Sequence, residues 1–139
     1  MHEFWIERII SNGSTYIFCK KCNIVFDVTD GKARLNLAIE YFRSTPCDKH
    51  LEALLSHKPK QTSFPNSPDR LYDGNFVEIN GSSERMYSHA TDYECENCET
   101  ELWAYDYYDA KGKVFKFRVW DLSEQVKCST VVMRKVLSR

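Results

Sequence analysis

The stretch Tyr16-Ile17-Phe18-Cys19-Lys20-Lys21-Cys22-Asn23-Ile24-Val25-Phe26 sets two cysteines three positions apart between apolar, strand-forming flanks. A tight turn between two short strands puts both thiols on one side, which is half of a tetrahedral zinc site. Asn23 follows the second cysteine, where such turns need a left-handed backbone that Asn tolerates. The pattern recurs in Tyr93-Glu94-Cys95-Glu96-Asn97-Cys98-Glu99-Thr100-Glu101-Leu102-Trp103, with Glu99 at the turn exit. The other two of the six cysteines are Cys47 and Cys128. The opening Met1-His2-Glu3-Phe4-Trp5-Ile6-Glu7 lacks the basic start and apolar run of a secretion signal, so paired cysteines read as a metal or redox site in an intracellular protein, cytoplasmic or nuclear. Metal is favoured over redox, because a redox C-x-x-C sits between a strand and a helix and both pairs here have strands on either side.

Two pairings compete for the first knuckle. Cys19, Cys22, Cys95 and Cys98 can form one long-range site, or Cys19 and Cys22 can meet Cys47 and His50. The local option is favoured. Ser44 or Thr45 can cap a helix with Pro46 in its first turn, and Cys47 and His50 then fall at i and i+3 on one face. Over Cys19 to His57 this order resembles the C2CH class of treble-clef zinc fingers, and in ligand order it is similar to THAP-type DNA-binding fingers. The resemblance implies the four ligands and no more. If the first site closes locally, His89 and Cys128 are available to Cys95 and Cys98, giving a chain with one or two Zn2+ ions. His57 is an alternate ligand for the first site or a surface residue at a helix end, Cys128 alone could be a small buried thiol, and His2 has no assigned role.

Working outward, Asn12-Gly13 marks a turn, and Leu35, Ala38, Ile39 and Phe42 recur at helical spacing. A second helix carries Leu51, Leu54 and Leu55 and stops at Lys58-Pro59. The proline- and serine-containing run up to Gly74 divides a knuckle-plus-helix module (1–60) from a β-rich module with the second knuckle (75–139), through a linker or long loop (61–74). In the second module Asn75 to Gly81 alternates as a strand that Arg85-Met86-Tyr87 can pair. Glu101 to Tyr108 and Lys113 to Trp120 form a hairpin about Asp109-Ala110-Lys111-Gly112, with Trp103, Tyr105 and Tyr107 facing Phe115, Phe117 and Val119. Leu122, Val126, Thr130, Met133 and Leu137 fit a helix by period and a strand by β-branching. The whole reads as a small α+β protein stabilised by zinc.

At 139 residues, 42% hydrophobic and 28% charged, the chain is long enough for one core or two small ones and is neither disordered nor membrane-spanning in composition. Its 19 basic and 20 acidic residues balance, so any charged surface is local. Seven acids and no base lie between Asp92 and Asp109, which suits a basic protein partner and repels phosphate. Lys20, Lys21, Lys58 and Lys60 form one small basic spot and Arg134, Lys135 and Arg139 another, which keeps a nucleic-acid-binding finger as the alternative. Trp120 and Tyr108, opposite the aromatic core face, with Glu96 and Glu99 on the second knuckle, are the candidate protein interface. All plausible ligand sets are closed, no deaminase or hydrolase motif is present, and no small-molecule substrate is indicated, so the sequence points to a non-catalytic binding module, a regulator or inhibitor.

Overall fold

The computed structural model describes residues 1–62 and 75–128. In chain order these hold β1 (Phe4–Ile9), β2 (Thr15–Cys19), β3 (Val25–Asp27), α1 (Lys32–Ser44), α2 (Asp48–Ser56), β4 (Pro59–Gln61), β5 (Asn75–Ile79), β6 (Glu84–Cys95), β7 (Glu101–Tyr108) and β8 (Phe115–Leu122). This is a small α+β architecture, as the alternation of helical and strand periods implies. Most of 61–74 lies outside the described residues, as do Thr130, Met133, Leu137 and the basic group Arg134, Lys135 and Arg139. Among the described residues no helix is long and apolar enough to cross a membrane.

All strand pairs are antiparallel, in the order β3-β2-β1-β5-β6-β7-β8, with β4 joined to β6. The ladder passes between the two stretches on either side of 61–74, since β1 pairs with β5 and Ile9 lies opposite Val77. β6 is twelve residues long; along one edge it pairs with β7, and along the other its first half pairs with β5 and its end with β4, where Pro59 faces Cys95. The Lys58-Pro59 stop therefore leads straight into a short edge strand, a place where a proline without an N–H is tolerated.

Alternation along β1 and β2 sorts their side chains onto two faces. Phe4, Ile6, Ile17 and Cys19 pack against Ala38 and Phe42 of α1. Trp5, Ile9, Tyr16 and Phe18 turn the other way and meet Val77, Tyr107, Phe117 and Val119. Phe18 stacks on Tyr107 at 6.0 Å between ring centroids although three strands separate β2 from β7, and Trp5 meets Phe117 of β8 edge-on at 5.3 Å. Strand twist, accumulated over the sheet, thus curls it over on itself around an aromatic interior. The curl closes where Asn23, after β2, accepts a hydrogen bond from the Trp120 backbone N–H of β8 at 3.2 Å.

α1 buries Ala38 and Phe42, with Leu35 and Ile39 packed beside them, while Leu37 on its far side is 67% exposed. α2 starts two or three residues later than the sequence suggests: Thr45 ends α1, and Cys47, not Ser44 or Thr45, is the N-cap of α2. The β7–β8 hairpin pairs Tyr105 with Val119 and Tyr107 with Phe117 on the inner face, as expected. Phe115 departs from expectation. An irregularity at Tyr107/Tyr108 sets it opposite Tyr108, and it is half-exposed on the other face.

Candidate metal centres

Each C-x-x-C closes a hairpin, the first between β2 and β3 and the second between β6 and β7. The two turns are built alike. The Cys19 N–H donates to the Ile24 carbonyl and the Asn23 N–H to the Cys19 carbonyl; the Cys95 N–H donates to Thr100 and the Glu99 N–H to Cys95. Asn23 (φ 64°) and Glu99 (φ 63°) both take the left-handed conformation at the exit. Glu99 does so without the side-chain advantage of Asn, which is why its turn is harder to see in the sequence.

Two clusters result. His2, Cys19, Cys22 and Cys47 bring their ligand atoms within 4.8 Å of one another, and so do His57, Cys95, Cys98 and Cys128. All are buried except Cys98, which is partly so. Zinc bonds of about 2.3 Å to sulfur and about 2.0 Å to nitrogen give tetrahedral S···S edges of about 3.8 Å and N···S edges of about 3.5 Å. The Cys19–Cys47 and Cys95–Cys128 sulfurs lie 3.7 and 3.8 Å apart, and the His2–Cys22 and His57–Cys98 Nδ1···Sγ distances are both 3.4 Å. These spacings are far beyond the roughly 2.05 Å of a disulfide, and they fit one ion held by three sulfurs and one nitrogen.

The histidines are not the two that spacing suggests. His50 falls on α2 with its Nε2 2.5 Å from the Tyr41 hydroxyl, and the corner it was expected to fill is taken by His2, whose ring centroid is 5.8 Å away. The β1–β2 register explains this: Phe4 pairs with Cys19 and the Lys20 N–H reaches the Glu3 carbonyl, so the residue before Glu3 falls beside the knuckle. His89 sits in the middle of β6 opposite Asp106. Six strand steps of about 3.3 Å put it roughly 20 Å from Cys95, out of reach. His57 supplies the second cluster instead, because β4 draws the end of α2 onto the second knuckle.

Hydrogen bonds around the sulfurs favour thiolates. The Lys21 and Cys22 N–H groups point at the Cys19 sulfur at 3.4 and 3.5 Å, and the Lys58 N–H points at Cys95 at 3.4 Å. The Cys22 side chain, as hydrogen-bond partner, holds Cys19 well below the ordinary thiol range, while the same contact and burial push Cys22 up. Burial opposes the Cys95 thiolate, but the backbone N–H donors, with His57, bring it down to about 6. His57 donates from Nε2 to the Val126 carbonyl at 2.8 Å, which fixes its tautomer and leaves Nδ1 free to coordinate. The Nε2 of His2 is buried with no partner among the described residues.

The remaining candidates are dispersed. Lys20 lies over the Trp5 ring at 4.0 Å, Lys21 pairs with Glu3 at 3.9 Å, Lys58 pairs with Glu96 at 3.2 Å, and Lys60 stands opposite Glu94 in the β4–β6 ladder. Trp120 packs edge-on to Tyr93 at 4.9 Å under the Arg118 guanidinium, and Tyr108 meets Phe115. Glu99 borders an open cleft with Glu94, Glu96 and Lys60. No protein-family model, curated protein or solved structure matches the chain. Fold and sites together define a small α+β protein with two Cys3His clusters fit to hold metal.

Proposed function

We propose that the chain is a zinc-supported, non-catalytic binding module that regulates or inhibits a protein partner by direct contact. The observation that carries this reading is that each cluster brings four potential ligand atoms, three sulfurs and one nitrogen, within 4.8 Å of one another. A zinc ion so held has no open position for water or substrate, and its role is to complete the core in which the cysteines are packed. Function then falls to the surface. Val114 and Phe115 are 51% and 53% exposed beside Tyr108, an apolar end of the β7–β8 hairpin suited to a protein contact. The internal pairing of Lys20, Lys21 and Lys58 with a ring and two carboxylates argues for a protein partner over nucleic acid, since those charges are already engaged.

The test has two arms on zinc-loaded protein. Anisotropy titrations with random-sequence single- and double-stranded DNA and RNA should show no binding at 50 mM salt. Binding that falls steeply with salt and disappears on joint Lys20→Glu and Lys21→Glu substitution would overturn the reading in favour of a nucleic-acid finger. In the second arm, a photo-crosslinker at position 108 should trap a protein partner whose recovery drops on Phe115→Ser.

A further inference from the structure

The inner face of the curled sheet holds a cavity of about 190 Å³ that neither metal cluster touches. Its walls include the carboxylates of Glu7, Asp27 and Asp121 and the rings of Tyr16, Tyr105 and Tyr107, and among the described residues no Lys, Arg or His lines it. Glu7 is only 7% exposed. One of its oxygens accepts the Tyr107 hydroxyl, and the other has no hydrogen-bond partner among the described residues. Asp27 stands at the mouth, held by Thr29. The Asp121 carboxylate makes no hydrogen bond or ion pair among the described residues.

Buried anions without a counter-charge are costly, and both show it: burial pushes Glu7 up to about 7 and Asp121 up to about 6. A cation entering the cavity would relieve that cost, and the tyrosine rings add their own attraction for one. The carboxylates do not converge as the two Cys/His sets do, so they do not form a single-ion metal site. An extended organic cation fits better. A five-heavy-atom chain, at roughly the 30 Å³ that a water occupies in the liquid per heavy atom, needs about 150 Å³.

We propose that this cavity binds a primary alkylammonium group, with Glu7 and Asp121 as its counter-charges and the tyrosine rings as its walls. The group can come from a free amine or from a lysine side chain, and the chemistry at the site is the same. This inference stands independently of the partner reading above, because it concerns the inside of the sheet and not the hairpin surface.

The test is a ¹⁵N NMR titration of the zinc-loaded full chain at pH 8 and constant ionic strength with n-butylammonium chloride, N-acetyl-lysine methylamide and n-butanol. Butylammonium should shift the Ser88, Ala90 and Tyr105 amides saturably and bind at least about tenfold more tightly than butanol, as expected for hydrogen bonds to charged groups. Glu7→Gln and Asp121→Asn should each weaken it about tenfold. The second variant lies in a less buried position, and its own spectrum reports whether the fold is kept. Equal or tighter binding of the lysine derivative assigns the site to a lysine side chain; binding of butylammonium alone assigns it to a free amine. Absence of saturable shifts, parity of butanol with butylammonium, or full binding by folded Asp121→Asn would overturn the proposal.

Discussion

Replacing Glu7 by glutamine should make the protein more stable above pH 7 and close to unchanged near pH 4.5. Glu7 projects from β1 into the curled sheet, and its ordinary carboxyl value of 4.5 is raised to about 7 by burial, partly offset by the Tyr107 hydroxyl. The folded protein therefore keeps a proton that the unfolded chain gives up. For a raised acid the stabilising contribution is complete below 4.5, declines as pH rises from 4.5 to about 7, and is level above that. Across that interval, at about 1.4 kcal/mol per pH unit, wild type forfeits on the order of 3 kcal/mol that Glu7→Gln does not. The glutamine carbonyl can still accept the Tyr107 hydroxyl, so the packing is retained. The assay is urea unfolding of both proteins with zinc in excess at several pH values from 5.5 to 8.5, read as the difference between them. Zinc release at low pH affects both proteins and cancels in that difference. A gap that does not depend on pH, or one that widens toward acid, would refute the reasoning.

Elemental mass spectrometry should find about two zinc ions per chain, falling to about one in His2→Ala or Cys47→Ser and to about one in His57→Ala or Cys95→Ser, while His50→Ala and His89→Ala keep both; loss in the last two instead of the first would reverse the ligand assignment. Glu99→Gly should stabilise by up to about 1 kcal/mol in thermal melts, because Glu99 is exposed and holds a left-handed conformation that costs an L-residue about that much. Asn23→Gly should lower the melting temperature, since it removes the acceptor of the Trp120 N–H. Leu102, fully buried beside the second cluster, should lose about 2–5 kcal/mol on substitution by alanine, measured by urea unfolding.

The two knuckles were legible because their chemistry is local: a C-x-x-C, strand-like flanks and a turn exit lie within about a dozen residues. The α1 face of Leu35, Ala38, Ile39 and Phe42 and the hairpin face of Tyr105 and Tyr107 were legible for the same reason, each resting on one periodicity. The fourth ligands were not, because they depend on register. His2 reaches Cys22 only through the Phe4–Cys19 pairing, which the Asn12-Gly13 turn signal could have been extended to suggest. His57 depends on β4, a three-residue edge strand beginning at a proline, which no sequence period marks. Phe115 was displaced by a bulge, and the curl that brings β2 over β7 comes from summed twist, not from any one residue.

α2 begins directly after Cys47 of one Cys3His cluster and ends directly before His57 of the other. At 1.5 Å per residue the ten steps between them span about 15 Å, a stiff rod anchored at both tips. Filling one centre therefore holds the far end of the rod beside its knuckle and raises the local concentration of the missing ligand there, so the first ion makes room for the second at lower entropic cost. Thermodynamic reciprocity makes the reverse equally true: stripping either ion loosens the grip on the other. A chain built in this way is expected to hold each ion more tightly when the other centre is filled, so that a variant lacking one centre keeps its remaining zinc ion with reduced affinity.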